Sequence, residues 1–506
     1  MTAVDAREVV TTAAVLADLA AGTPLGTRVY RVPPGELLVG RNVRTVNVDP
    51  DADLVASVEE SGVLEPVLCY ELDGRLQIDM GQRRVLAPVR AGRACVPVVV
   101  VEEPPEDARI IGQVAENEHR LGLATSDRAA AVQQLALLGL PAAVIARRVA
   151  LRRVDVDHAL TVAASPAASR AAAAAPLDLA QAAAVAEFGD EPAVVEALTA
   201  AAAEGRFNHA LELAREDRRD QDGRARARAE LRATGAQILS TAPAPGSTFR
   251  PLDDLGLTPA QHADCIGHCG YVAWGDHVVD GHTVHGWHAV HLCQNPVTWG
   301  HLPADDPAVP SARTAVQATL ADEQTRRDRE RTHRLRREWQ IATRVRRGWL
   351  RDFARIRDAV LPGGEAFAAT TVARYPGVLM PATGTHHWMA RALLYRDLED
   401  ARAPREEAPP AQRATETERL QRDTATASRG RAVRLSCLLL LAAWEEQQAG
   451  RDTWRHTEPC TAHVLTQLAA WGYPLAPIEQ LAAGQLSLED LDAVGEDRAA
   501  SAEDTR

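Results

Sequence analysis

The sequence contains no lysine: all 56 of its basic residues are arginine. A lysine nucleophile, a Schiff-base lysine and a phosphate loop of the G-x-x-x-x-G-K-[ST] kind are therefore excluded. Aromatic residues make up only 4% of the chain, so its cores must be built mostly from Ala, Leu and Val. Long apolar runs are also missing. Leu438 to Trp444 falls far short of the roughly 20 residues that a membrane-spanning helix needs. The first residues mix Asp5, Arg7 and Glu8 with short apolar pieces, so no secretory leader is expected. Seven cysteines, an odd number spread thinly, do not make a disulfide framework. Reduced thiols in a cytoplasmic protein are expected, and there Cys and His clusters signal metal more often than disulfide. An excess of positive charge is absent too. The net charge of −13 argues against a protein that is basic all over, while leaving room for a local basic face.

What is present is an ordinary globular balance, 46% hydrophobic and 25% charged over 506 residues, long enough for about three or four domains. Residues 1–35 read as a flexible leader ending at Pro33-Pro34-Gly35. Asp73-Gly74 between Val67–Tyr70 and Arg75–Ile78 is a hairpin signal, because a type I′ turn needs positive φ. Residues 82–91 read as a short helix and Val96–Val101 as a buried strand. Together they make a small α+β unit over residues 36–122. From Ser126 the pattern turns helical, with Thr125 or Ser126 as cap and Gly139-Leu140-Pro141 as a break. Residues 123–222 form one helical domain on this reading. Residues 223–303 form a linker and a His/Cys/Trp-rich module, 304–403 a basic helical region, 404–410 a linker, and 411–506 a helical end with a frayed tail.

Four short segments follow one another: Gly40-Arg41-Asn42-Val43-Arg44, Gly62-Val63-Leu64-Glu65-Pro66-Val67, Gly81-Gln82-Arg83-Arg84 and Glu116-Asn117-Glu118-His119-Arg120. The third sets a glycine and paired arginines where a strand enters a helix. Free N–H groups and guanidinium forks there suit phosphate oxygens. The fourth sets a carboxylate and an amide, read as a helix start, with an arginine one turn on. Such oxygens are hard ligands suited to Mg²⁺ beside phosphates.

On these segments, residues 36–165 resemble the N-terminal and central domains of ParB-type chromosome and plasmid partition proteins. The third segment looks like the family's G-E-R-R box, the fourth like its E-N-x-x-R box, and the second like its G-[IVL]-x-Q-P-[IV] segment. The resemblance implies a site for CTP and Mg²⁺. Gly81, Arg83 and Arg84 would hold the triphosphate, Glu116 and Asn117 would serve metal and phosphates, and Arg120 would support both. Arg44 stands where the family's first box ends in arginine. In the family, CTP closes a dimer into a clamp that slides on DNA. Gln82 replaces the glutamate associated with hydrolysis. Glutamine cannot act as a carboxylate base, so at most a weak CTPase is expected.

Residues 141–162 fit a helix-turn-helix, with Val144, Ile145 and Val149 facing inward from its first helix. The second helix, from Arg153 through Val156, Leu160 and Val162, would enter the major groove. Arg147, Arg148, Arg152 and Arg153 supply positive charge for phosphate or guanine. Asp155 and His158 lie on the same helix, where a carboxylate can accept from cytosine N4. Ala150 stands in the turn where glycine is common.

Half of the 16 histidines and three of the seven cysteines fall between His262 and His301. Two close pairs, Cys265-x2-His268 and Cys293-x7-His301, suit a tetrahedral, structural Zn²⁺, with His291 and Cys269 as spares. This spacing resembles a block in actinobacterial plasmid members of the family. Trp274, Trp287 and Trp299 are expected to cover the site. Farther on, Leu335, Trp339, Ala342, Val345, Trp349, Phe353 and Ile356 recur at helical spacing among many arginines, which gives a core or dimer face and a basic face.

The expected fold is an α+β ParB-like domain, then an all-α helix-turn-helix domain, a small zinc-binding module and a helical C-terminal region. The expected function is that of a centromere-binding partition protein. Its partners would be double-stranded DNA carrying an inverted repeat, a second copy of itself and a ParA-type ATPase, and it would sit in the cytoplasm on nucleoid or plasmid. The alternatives are a transcriptional regulator of ParB-like fold without a nucleotide switch, and a ParB-like nuclease.

Overall fold

The computed structural model describes residues 9–40, 49–120, 123–244, 247–279, 281–302, 312–356, 361–378, 388–396, 409–448, 453–455 and 458–492, without side chains for 116–120, 312–327, 329 and 330. The chain divides into two compact units, Met1–Phe207 and Asn208–Arg506.

Unit 1 opens with α1 (Thr12–Ala20), capped by the Thr11 hydroxyl, and β1 (Val29–Val32). There follow β2 (Leu38–Val39), α2 (Ala52–Ser61), β3 (Val67–Leu72), β4 (Arg75–Met80), α3 (Gln82–Arg90), β5 (Val96–Val100) and α4 (Glu106–Arg120). The five strands form one sheet in the order β1-β5-β3-β4-β2. Strands β3 and β4 join through Asp73 and Gly74, both at positive φ as a type I′ turn requires. Val67, Cys69, Leu76, Val96 and Val98 are wholly buried on the sheet, where β-branched chains pack well on a pleated surface.

The flexible-leader reading of residues 1–35 is corrected for residues 9–35. Val15 and Val32 are fully buried in the same core as β3 and β5. Strand β1 pairs antiparallel with β5, Val29 opposite Val99. This pairing joins segments more than sixty residues apart, and so leaves no local mark in the sequence. Residues 1–8 lie outside the described residues.

Six helices complete unit 1: α5 (Thr125–Leu137), α6 (Ala142–Arg148), α7 (Arg153–Ala164), α8 (Pro166–Ala174), α9 (Leu179–Val185) and α10 (Pro192–Ala203). Their core is made of Ala, Val and Leu, with Leu135, Ile145, Val156, Ala159 and Val162 fully buried. The expected hydroxyl cap at Thr125 or Ser126 does not form. Ala124 is the N-cap, and Thr125 donates instead to the Leu177 carbonyl at 2.5 Å.

Unit 2 begins with α11 (Phe207–Ala233), which runs without a break through the boundary expected at 222/223. Strands β6 (Gln237–Ile238), β7 (Phe249–Pro251), β8 (His268–Val279) and β9 (His282–Gln294) form a sheet ordered β6-β8-β9-β7, dominated by the long β8–β9 hairpin. Then come α12 (Ala312–Arg355), α13 (Gly364–Arg374), α14 (Trp388–Tyr395), α15 (Pro410–Ala425), α16 (Arg429–Gln448), α17 (Pro459–Ala470) and α18 (Pro477–Ala482).

The apolar stripe of α12 is a core face. Leu335, Trp339, Ala342, Val345 and Phe353 pack with Trp388, Leu441, Trp444 and Leu465, while Ile356 stays 46% exposed. The arginine face is not simply solvated. Arg346 is fully buried between Glu445 and Glu479, and Arg347 Nε lies 3.2 Å from Glu445. Most of the 404–410 linker and the whole frayed tail fall outside the described residues. Among the described residues no helix is long and apolar enough to cross a membrane.

Candidate nucleotide, DNA and metal sites

Gly81 ends β4 and caps α3 with φ +98°, a left-handed conformation that favours glycine. No side chain caps α3, and a helix start is where backbone N–H groups can meet an outside acceptor. Arg83 reaches Asp51 at 2.7 Å; Arg84 is paired with Glu65 and touches the Pro66 carbonyl at 3.4 Å. Both guanidiniums are mostly covered, and Arg83 Nε is buried without a hydrogen-bond partner. Asp51 also caps α2 through Leu54 N–H. That bond and the Arg83 guanidinium hold its carboxyl below the usual range. Arg84 thus brings the glycine-arginine box against the Gly62–Val67 segment.

The fourth segment is displaced from its expected place. Glu116, Asn117 and Arg120 lie on the last turns of α4, not at a helix start. The negative end of the helix dipole there favours a cation over a phosphate. α4 comes close to the end of β4. Gln113 donates to the Asp79 carbonyl at 3.2 Å, and a Cβ on Gly112 would meet Met80 at 2.6 Å. The side chains of Glu116, Asn117 and Arg120, and all of Arg44, lie outside the described residues. Gln82 opens α3 beside Gly81.

α6 and α7 form the expected helical pair. Ile145 and Val149 are buried between them with Val156, while Val144 is only half-buried. Ala150 takes φ +55° in the turn. The arginines, expected as free positive charge, are largely neutralised by carboxylates. Arg148 pairs with Asp107 at 2.8 Å, Arg152 with Asp155 at 2.7 Å and Arg153 with Asp157 at 3.0 Å. Arg147 is exposed and has no ion pair among the described residues. His158 is half-buried, with Nδ1 enclosed and without a hydrogen bond.

In unit 2, His262, Cys265, Cys293 and His301 bring one ligand atom each within 4.8 Å of the others. This corrects the expected set, because His262 stands where His268 was placed. His268 Nε2 lies 3.2 Å from His291 Nδ1 instead. His262 lies three positions before Cys265, as His268 lies three after it, so H-x2-C was as legible a spacing as C-x2-H. Burial pushes the His262 imidazole down to about 4, and burial beside Cys265 pushes the Cys293 thiol up to about 12. The tryptophans are only partly where expected. Trp299 packs on Gly267 next to the cluster. Trp274 and Trp287 pair with each other farther along the hairpin, 5.3 Å apart, where Trp287 Nε1 donates to Asp220 of α11 and Trp274 meets His333 of α12.

Residues 25–117 match the ParB N-terminal domain family. The chain is 36% identical over 89 residues to the probable chromosome-partitioning protein ParB of Mycobacterium leprae, covering 17% of this chain and 26% of that protein. It is 37% identical over 98 residues to the probable chromosome 2-partitioning protein ParB of Deinococcus radiodurans, covering 19% and 33%. The aligned segments thus span a third or less of these relatives. Among solved structures, the C-terminally truncated ParB of Caulobacter crescentus complexed with CTP-gamma-S is 26% identical, covering 34% of this chain and 98% of that one, at a TM-score of 0.16. The same protein complexed to the centromeric parS site is 24% identical, covering 38% and 100%, at a TM-score of 0.27. Residues 25–117, the span that carries the glycine-arginine box at the start of α3, are thus similar in sequence to the ParB N-terminal domain and to probable chromosome-partitioning proteins.

Proposed function

We propose that the chain is a centromere-binding partition protein that takes CTP with Mg²⁺ beside Gly81 and closes as a homodimeric clamp on DNA. The observation that carries this reading is the left-handed Gly81 at the start of an uncapped α3, with Arg83 and Arg84 packed beside it. Donors of this kind fit a triphosphate, and the orphaned Arg83 Nε fits a further phosphate oxygen. Glu116 and Asn117, at the end of α4, would hold Mg²⁺, with Arg120 and Arg44 supporting the phosphates. The metal would supply charge neutralisation between phosphate oxygens. Gln82 can orient a water but not take its proton, so turnover would be slow.

The α6–α7 pair would read an inverted repeat, one half-site from each protomer. Arg147 would contact phosphate directly, while Arg152 and Arg153 would exchange carboxylates for DNA. A ParA-type ATPase would be the partner, and nucleoid or plasmid the location. Gln82 alone favours the second reading, a DNA-binding regulator that keeps the fold without a nucleotide switch. Binding of radiolabelled CTP to the full chain, with and without duplex carrying its site, separates the two. CTP retention that rises with cognate DNA supports the clamp. No retention at high CTP leaves the regulator.

A further inference from the structure

The four residues of the unit 2 cluster come from three places in the chain. His262 and Cys265 lie in the loop before β8, Cys293 near the end of β9, and His301 in the loop after it. The backbone already draws these places together. Gln294 N–H donates to the Gly267 carbonyl at 2.8 Å, and His301 N–H to the Pro296 carbonyl at 2.8 Å. Asn295 turns the chain out of β9 at φ +56°.

Two observations distinguish this cluster from ordinary packing of polar side chains. The first concerns His262, which is 1% exposed with neither ring nitrogen hydrogen-bonded. Leaving a buried donor or acceptor unsatisfied is costly, and ligation removes that cost at one nitrogen. The second is the spacing. With Zn–N near 2.0 Å and Zn–S near 2.3 Å, the edges of a tetrahedral site are about 3.3–3.8 Å. His301 Nε2 lies 3.4 Å from Cys265 Sγ, and no pair in the cluster exceeds 4.8 Å. Small side-chain movements toward a common centre are enough to close the shell.

We propose that His262, Cys265, Cys293 and His301 bind one zinc ion, which ties the loops before β8 and after β9 to the end of β9. Two thiolates and two imidazoles select Zn²⁺ over the oxygen-seeking Mg²⁺ of the nucleotide site. Four protein ligands leave no position for a substrate or a water, so the site is structural. His268 is not a ligand. It faces the same side of the hairpin as Cys293, its partner in the strand register, but its ring is turned along the strand to His291. The site is independent of the nucleotide reading, since all its residues belong to unit 2.

The test is metal content of the full chain, purified without a histidine tag, by elemental analysis. About one zinc per chain is expected, and a value near zero overturns the proposal. His262→Ala should lose most of the zinc while His268→Ala keeps it; the reverse pattern overturns the ligand set. Because loss of a ligand can also unfold the module, the wild-type chain is reconstituted with Co²⁺ as a second reading. Intense visible d–d bands with a thiolate charge-transfer band are expected for a tetrahedral site with two sulfurs. A weak octahedral spectrum without the charge-transfer band overturns it.

Discussion

Arg152 grips Asp155 with two parallel hydrogen bonds, Nε to Oδ2 at 2.8 Å and a terminal nitrogen to Oδ1 at 2.7 Å. The pair sits at the start of α7, where the sequence places a free cation for DNA. The guanidinium bond holds the Asp155 carboxyl below its usual range, so the grip persists at neutral pH. Freeing Arg152 should therefore strengthen DNA binding of every sequence. For Asp155→Asn, several-fold tighter binding to random duplex is expected, with the log–log salt slope steeper by about one. An unchanged slope in a salt titration would show that Arg152 does not meet phosphate.

Arg83→Ala should abolish CTP binding, because the triphosphate would lose a cation that is already held against the turn by Asp51 at 2.7 Å. Equal affinity in filter binding would refute the placement. Gln82→Glu restores a carboxylate beside Gly81 and should raise phosphate release. A rate no higher than that of the parent chain would place the defect elsewhere in the pocket.

Ala150 adopts φ +55° between α6 and α7. The left-handed region costs a residue with a Cβ roughly 1–2 kcal/mol. Part of that returns as the extra unfolded-state entropy of glycine. Ala150→Gly should stabilise unit 1 by about 1 kcal/mol net. All nine tryptophans lie beyond residue 208, so tryptophan fluorescence would miss the gain. Calorimetry is the suitable measurement, and a lower melting temperature would contradict the expectation.

Arg346, Glu445 and Glu479 are all fully buried. The Tyr473 hydroxyl adds a bond to Glu479 at 3.0 Å, and Ala476 N–H another at 2.9 Å. Removing the cation alone would leave carboxylates buried without it. Arg346→Met should destabilise unit 2 by about 3–5 kcal/mol. The same tryptophans report that loss directly in a denaturant titration. A midpoint within error of the parent would mean that the carboxylates find other partners.

The sequence by itself determined what depends on local chemistry. Asp73-Gly74 made a hairpin because two adjacent positive φ angles suit few residues. Gly81 marked the strand-to-helix turn for the same reason, and the helical period of Leu335 to Phe353 marked an apolar face for a core or a dimer. The tertiary structure decided whatever depends on partners distant in the chain. Residues 9–35 were read as leader because β5, the strand with which β1 pairs, lies more than sixty residues away. The burial of Arg346 left no mark in the basic face of its helix, because its carboxylates, Glu445 and Glu479, lie about a hundred residues on. His262 and His268 flank Cys265 at equal spacing, so sequence could not choose between them. The fold chose: His268 stands opposite Cys293 in the strand register but turns its Nε2 to His291 Nδ1, while His262 joins the two thiols and His301.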